Sequence, residues 1–291
     1  MTDPIPYRPL PRDLRDVHYA HGPDSMRRAE VPAGSTTVLD LPSSAVFPGT
    51  HRRVHVHVPA TVDQATDAAL VVVQDGSLYL DPEGEVRAGI VLDNLCHRGA
   101  IPPTVGVLVD SGTRDREAPP GAMRQRNVEY DADDDAYVRF LEEEVLPLVE
   151  QRHRITRDPA RRAICGGSSG GNASFTAAWH RPDLFGVALC FLASFAQMPG
   201  GNPYPALLPA VERRALRVLL QIGHRDLGHD RAEMNWLAEN LRTGAALAEA
   251  GYDVRLVLGD GGHSPNHGGV LLPDALRWAF GDAGPAAAKR R

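Results

Sequence analysis

The stretch Ala163-Ile164-Cys165-Gly166-Gly167-Ser168-Ser169-Gly170-Gly171-Asn172 decides how the rest of the chain is read. A short apolar run leads into Gly-x-Ser-x-Gly centred on Ser168, and a helical pattern follows from Ala173 to Trp179. Strand, sharp turn and helix in that order are the parts of a nucleophile elbow. The turn is tight enough to hold its central residue in a strained backbone conformation. Gly166 and Gly170 let strand and helix approach with no Cβ in the way. The Ser168 hydroxyl is then pushed out above the sheet edge. The next backbone N–H, that of Ser169, lies at a helix N-terminus, where partial positive charge can stabilise an oxyanion. The competing reading is a Gly/Ser loop ahead of an ordinary helix; the strand before and the helix after favour the elbow.

Working outward, the pattern of alternating strands and helices continues on both sides. Downstream, 187–192 reads as a strand, and 196–213 is Pro/Gly-rich and then amphipathic. A strand at 216–222 ends in Gly223-His224-Arg225-Asp226, and 231–250 is a helix with Gly251 as its C-cap. A strand at 252–258 ends in Gly259-Asp260-Gly261-Gly262-His263, and 271–280 is the last helix. Upstream, 136–152 is a long helix whose apolar positions Tyr137, Phe140, Leu141, Val145, Leu146 and Val149 recur at helical spacing. The acids Asp131 to Asp135 at its front read as partners of the helix dipole. Buried strands are expected at 68–73, ending in Gln74-Asp75-Gly76-Ser77, and at 104–109, with a helix at 86–98 between them.

Two antiparallel strands, 35–41 and 51–58, come first. The second alternates strictly, with His55 and His57 sharing its polar face, which reads as a solvated outer face rather than a metal pair because no third ligand has fitting spacing. Residues 1 to about 35 are Pro-rich and polar with scattered arginines. The expected organisation is an irregular N-terminal arm over 1–45, a catalytic domain over 46–282 and a flexible tail over 283–291. Strands alternating with helices imply an α/β fold with a mostly parallel central sheet covered on both faces.

Composition narrows the function. The chain has 291 residues and is 43% hydrophobic, enough for a substantial core in one large domain or two small ones. No stretch approaches ~20 continuous apolar residues, so no membrane span is expected. The start, Met1 to Tyr7, lacks a basic segment followed by an apolar one, so no signal peptide is expected. A net charge of −6 with both signs mixed gives no case for nucleic-acid binding. Three cysteines, Cys96, Cys165 and Cys190, read as reduced, buried thiols of a cytoplasmic protein.

A serine hydroxyl needs a base to take its proton, and the base needs a third group to fix its tautomer. In α/β-hydrolases the chain order is Ser, then Asp or Glu, then His, each at the C-terminal end of a strand. Ser168, Asp226 and His263 satisfy both conditions. Asp230, Glu233 and Asp260 are alternatives to Asp226, and His267 is the alternative to His263, with His224 as a loop residue beside the site. His267 is expected to cap the last helix or line the rim of the site. A metal held by His263 and His267 is disfavoured because Pro265 interrupts a helix there and no carboxylate has matching spacing. The second oxyanion donor normally comes from the loop after an early central strand, which points to the backbone N–H of Ser77. Arg126 is expected either to orient an acidic oxygen of the substrate or to form a salt bridge with Glu129 or the acidic helix start.

These residues also carry a resemblance. Val73-Gln74-Asp75-Gly76, Arg126 with Glu129-Tyr130, Glu144 to Pro147, Gly166 to Gly171, Arg181-Pro182-Asp183-Leu184-Phe185-Gly186 and Gly261-Gly262-His263 occur in that order. In this the chain resembles the "Putative esterase" family that contains enterochelin esterases and esterase D, over roughly residues 48–280. Stand-alone bacterial esterases of that group are the closer likeness. The resemblance implies an α/β-hydrolase fold without a large cap. It also implies hydrolysis of a small-molecule ester by Ser168, Asp226 and His263, with no metal and no organic cofactor. The extra N-terminal domain of full-length enterochelin esterases has no counterpart in the residues ahead of this core. Two other functions share the fold: acyl transfer to an alcohol, and a non-catalytic binding protein. No nucleic-acid or membrane partner is implied, and a homodimer stays open.

Overall fold

The computed structural model describes residues 17–63, 65–114 and 125–281. The first part of the expected arm and the tail expected at 283–291 lie outside these. Eight strands form one sheet in the order β1-β2-β4-β3-β5-β6-β7-β8. They are β1 (Ser35–Leu41), β2 (Arg52–Val58), β3 (Ala69–Gln74), β4 (Thr104–Val109), β5 (Arg162–Gly167), β6 (Val187–Phe191), β7 (Arg217–Gly223) and β8 (Asp253–Gly259). β1 pairs with β2, and β2 with β4, antiparallel; every pairing from β4 across to β8 is parallel. The helices are α1 (Gly76–Leu80), α2 (Ala88–His97), α3 (Gln125–Tyr130), α4 (Ala136–Phe140), α5 (Leu146–Glu150), α6 (Ser169–His180), α7 (Tyr204–Leu207), α8 (Trp236–Glu249) and α9 (Pro265–Phe280).

The parallel strands read as continuous apolar runs because both faces are covered. In β3, Leu70 and Val72 join one core with Phe140, Phe175, Tyr204 and Leu247. Ala69, Val71 and Val73 point the other way, into a core with Leu92, Leu95, Leu272 and Phe280. One face therefore carries α4 to α8 and the other carries α1, α2 and α9. Parallel order also brings the C-terminal ends of β3 to β8 to one edge of the sheet, where the loops carrying Asp75, Asp110, Ser168, Asp226 and His263 gather.

The helix expected at 231–250 begins only at Trp236, with Asn235 as its N-cap, and three further differences from the expectation have identifiable reasons. The rod expected at 136–152 runs through α4 and α5 but contains a π-helical turn, Leu141–Val145. Pro147 has no N–H to return to the preceding turn, and the Leu146 N–H reaches back to the Leu141 carbonyl. The final helix begins at Pro265 rather than 271, with Ser264 as its N-cap accepting the Asn266 N–H. Proline opens this helix instead of interrupting it, because the first turn has no use for that N–H. His55 and His57 are buried, not solvated. Strand β2 lies inside the sheet, and each imidazole finds a carboxylate: His57 Nε2 lies 2.9 Å from Asp93 Oδ1, and His55 Nε2 lies 3.3 Å from Asp110 Oδ2.

A buried ion pair joins the antiparallel end of the sheet to α3. Arg52 makes two bonds to Glu129, at 2.6 and 2.9 Å, and both side chains are fully buried. The Arg52 guanidinium also lies 4.1 Å from the centre of the Phe140 ring, and Glu129 accepts the Gly112 N–H at 3.1 Å. Removing one partner strands the other charge in the core. Glu129→Ala is therefore expected to lower the free energy of unfolding by about 3–5 kcal/mol, measured by urea denaturation. A loss below about 1 kcal/mol, the range of an exposed pair, would contradict this.

Candidate active site

Ser168 stands between β5 and α6 with φ 60° and ψ −127°, a conformation that non-glycine residues rarely adopt. Its neighbours enforce it. The Ser168 N–H donates to the Phe191 carbonyl of β6 at 2.8 Å, and the Ser168 carbonyl accepts the N–H groups of Gly171, Asn172 and Ser194 at 2.9 to 3.2 Å. A Cβ at position 166 would sit 2.5 Å from the Gly170 carbonyl oxygen, so only glycine lets α6 start this close to the strand.

Asp226 follows β7 and His263 follows β8, and the two meet at Ser168. His263 Nδ1 lies 2.6 Å from Asp226 Oδ1, and Nε2 lies 3.0 Å from Ser168 Oγ. An Nδ1–H donated to the carboxylate leaves Nε2 free to accept from the hydroxyl. Asp226 is fully buried, and its Oδ1 also accepts the Leu227 N–H at 2.7 Å. The Trp236 ring packs edge-on against the His263 imidazole at 4.7 Å. Of the alternatives, Asp230 and Glu233 are exposed on the loop before α8, and the carboxylate bonded to His263 Nδ1 is that of Asp226 rather than Asp260.

His267 neither caps α9 nor lines the rim. Its ring is buried in the first turns of α9, where Nδ1 accepts from Gln221 Nε2 at 2.9 Å and the ring stacks on Tyr19 at 4.4 Å. Gln221 lies on β7 with its side chain inward, a placement no local sequence signal announced.

Of the two expected oxyanion donors, Ser169 opens α6, while the Ser77 N–H is engaged. It donates to Asp110 Oδ1 at 2.7 Å, and the Ser77 hydroxyl donates to Oδ2. The cause is strand order: β4 lies beside β3, so the residue that follows β4 meets the head of α1. Arg126 chooses a third partner, neither Glu129 nor the acidic run. Its guanidinium makes two 2.8 Å bonds to Asp75, and it also donates to the Gly167 carbonyl at 3.2 Å. Asp75 takes up a left-handed conformation with φ 58° between β3 and α1. Arg126 thus braces the strand end ahead of Ser168.

Asp131 departs from the helix-dipole role expected of the acidic run. It is buried and accepts from the Ser169 hydroxyl at 3.0 Å, from Gln197 and Asn127 at 2.8 Å each, and from the Ser194 hydroxyl. Asp134 and Asp135 do serve the start of α4: Asp134 accepts the Ala136 N–H at 2.9 Å, and Asp135 pairs with Arg139. A carboxylate accepting four donors, one of them the Ser169 hydroxyl, ties the first residue of α6 to Asn127, Ser194 and Gln197.

Burial holds the His267 imidazole below its ordinary value of 6.5, against the opposing pull of Asp260 and Asp226. Below pH 6.5 the unfolded chain then binds this proton more readily than the folded one, so folding loses stability as pH falls. His267→Gln is expected to flatten that loss. Urea unfolding of wild type and variant between about pH 7 and 5 measures it, and parallel curves over that range would contradict it.

The family model described as "Putative esterase" matches residues 44–264. An iron(III) enterobactin esterase of Dickeya dadantii (strain 3937) is 26% identical over 271 residues, which cover 89% of this chain and 58% of the relative. One from Escherichia coli (strain K12) is 28% identical over 168 residues, 56% of this chain and 39% of the relative. The chain spans about half the length of these curated relatives. Among solved structures, the Shigella flexneri enterobactin esterase in the presence of enterobactin superposes with a TM-score of 0.69 at 22% identity, over 89% of this chain and 62% of that one. A ferulic acid esterase from the anaerobic fungus Anaeromyces mucronatus superposes with a TM-score of 0.71 at 17% identity, over 94% of this chain and all of that one. Both share the α/β-hydrolase-like sheet, and among the described residues no large cap covers it. The chain belongs to the "Putative esterase" family.

Proposed function

We propose that this chain is a serine esterase in which Ser168 is the nucleophile, His263 the general base and Asp226 the group that orients it. The observation that carries this reading is the continuous chain of hydrogen bonds from Asp226 through His263 to Ser168 across the ends of β7, β8 and β5. Ser168 Oγ attacks the ester carbonyl carbon as its proton passes to His263 Nε2. Asp226 stabilises the imidazolium that forms. The Ser169 N–H, at the start of α6, faces the developing oxyanion. The ester C–O bond then breaks, and the leaving alkoxide takes the proton from His263. Water repeats the sequence on the acyl-enzyme, releasing the carboxylic acid and restoring the Ser168 hydroxyl.

The named relatives act on esters of molecules that carry phenolic rings, enterobactin on one side and ferulic acid on the other. We extend that class to this chain: an ester whose acyl or attached group bears a hydroxylated aromatic ring. The expected outcome is a higher kcat/KM for feruloyl or dihydroxybenzoyl-bearing esters than for aliphatic esters of the same alcohol. A preference for the aliphatic series would overturn the substrate class while leaving the chemistry intact.

Variants test the chemistry. Ser168→Ala and His263→Ala are each expected to lose about three orders of magnitude or more in kcat on p-nitrophenyl esters, as removal of a triad member does. His267→Ala, which removes a ring bonded to Gln221 rather than to Ser168, is expected to lose less than about tenfold. Equal losses for the two histidines, or near-native activity in Ser168→Ala, would contradict the assignment.

A further inference from the structure

We infer that Tyr19, in the segment ahead of the sheet, is a positioning residue for His263. The inference rests on the reading of His263 as the base. The turn that carries His263 runs from Gly259 to the start of α9 and contains Gly261 and Gly262 directly before the histidine. Two adjacent glycines leave such a turn many backbone conformations, and only a narrow set puts Nε2 within reach of Ser168.

From the domain side Asp226 holds the His263 ring and Glu85 accepts from Asn266 Nδ2 at 2.9 Å, while the glycine stretch between Gly259 and His263 is held there by two backbone bonds. The His224 N–H donates to the Gly259 carbonyl at 2.8 Å, and the Arg225 N–H donates to the Gly261 carbonyl at 3.1 Å. The opposite side is held by Tyr19. The Asp260 N–H donates to the Tyr19 hydroxyl at 2.8 Å, three residues before His263. Three residues after it, Asn266 is clamped by the Tyr19 backbone: its Oδ1 accepts the Tyr19 N–H at 2.8 Å and its Nδ2 donates to the Tyr19 carbonyl at 3.1 Å. The Tyr19 ring lies flat on His267, 4.4 Å away at an interplanar angle of 17°. One residue therefore grips both ends of the glycine turn and the helix that leaves it.

The segment that follows Tyr19 is itself fixed from behind. Asn94 Nδ2 donates to the carbonyls of Asp24 and Met26 at 2.8 and 2.9 Å, Arg27 pairs with Asp93 at 3.1 Å, and Asp24 pairs with both Arg98 and Arg277. These bonds tie the segment to α2 and α9, so the grip on the turn is transmitted from the body of the protein. Nothing in Tyr19 reaches Ser168; its effect passes through the conformation of the turn.

The test uses the full chain with Tyr19→Ala and Tyr19→Phe, each with its melting temperature measured. The readouts are kcat, KM and the low-field NMR resonance of the His263 Nδ1 proton bonded to Asp226. Tyr19→Ala is expected to lower kcat by about 10- to 100-fold, the range for a misplacement of roughly 1 Å, with KM within about twofold. The low-field resonance is expected to broaden or vanish at a temperature where the variant is folded. Tyr19→Phe keeps the stack on His267 and loses only the bond to Asp260, so an intermediate kcat and a partly broadened resonance are expected. Should Tyr19→Ala not fold, Tyr19→Phe carries the same decision. Folded variants with unchanged kcat and an unchanged resonance would overturn the inference, as would lowered stability with kcat and the resonance intact. His263→Ala keeps the two readings apart: if it is inactive while the Tyr19 variants are normal, only the positioning role fails, and if it is active the reading of the base fails.

Discussion

The backbone of Ser168 is the constraint on which the rest of this structure depends. A serine held at φ 60° and ψ −127° carries strain of about 1–3 kcal/mol, and such a conformation persists only where its surroundings over-determine it. Here β6 binds its N–H, three N–H groups converge on its carbonyl, and Gly166 leaves the space through which α6 approaches. The same bonds that force the strain aim the hydroxyl at His263 and set the Ser169 N–H at the mouth of a helix. In the mechanism proposed above, strain and function are therefore one arrangement, and each packed neighbour contributes to both.

Around that turn the buried and half-buried charges fall into two groups. Asp226 is buried and spends one oxygen on the Leu227 N–H and His263, which leaves its charge directed at the imidazole. Asp131 is buried as deeply but accepts four donors, and so serves as a scaffold beneath Ser169 rather than as a reactive group. Arg126 with Asp75 plays the matching part on the other flank, at the Gly167 carbonyl. Arg52 with Glu129 does so farther out, beneath α3. Ion pairs held in this way contribute position more than net stability, and here each one fixes an element that borders the site.

What was legible in the sequence was local or followed from chain order. Gly-x-Ser-x-Gly after an apolar run announces the elbow because the turn itself demands those glycines. Asp226 and His263 are readable because each follows a strand, and parallel strands end on one edge. What was not legible depends on which strands become neighbours. The Ser77 N–H is taken by Asp110 only because β4 lies beside β3, and Arg126 meets Asp75 only because the residue after β3 turns left-handed. His55 and His57 look solvated in an alternating strand, but β2 is not an edge, and Asp93 and Asp110 come from elements far along the chain. The hold of Tyr19 on the turn before α9 spans most of the sequence and leaves no periodic trace in it.

The most direct test of the central claim is covalent. The folded chain is treated with a fluorophosphonate, and the adduct is located by mass spectrometry of its peptides. If Ser168 is a nucleophile activated by His263, a single phosphonyl group is expected on the peptide containing Ser168. The adduct should be absent in Ser168→Ala and form far more slowly in His263→Ala. Labelling at another residue, or labelling of Ser168 at the same rate without His263, would contradict the account.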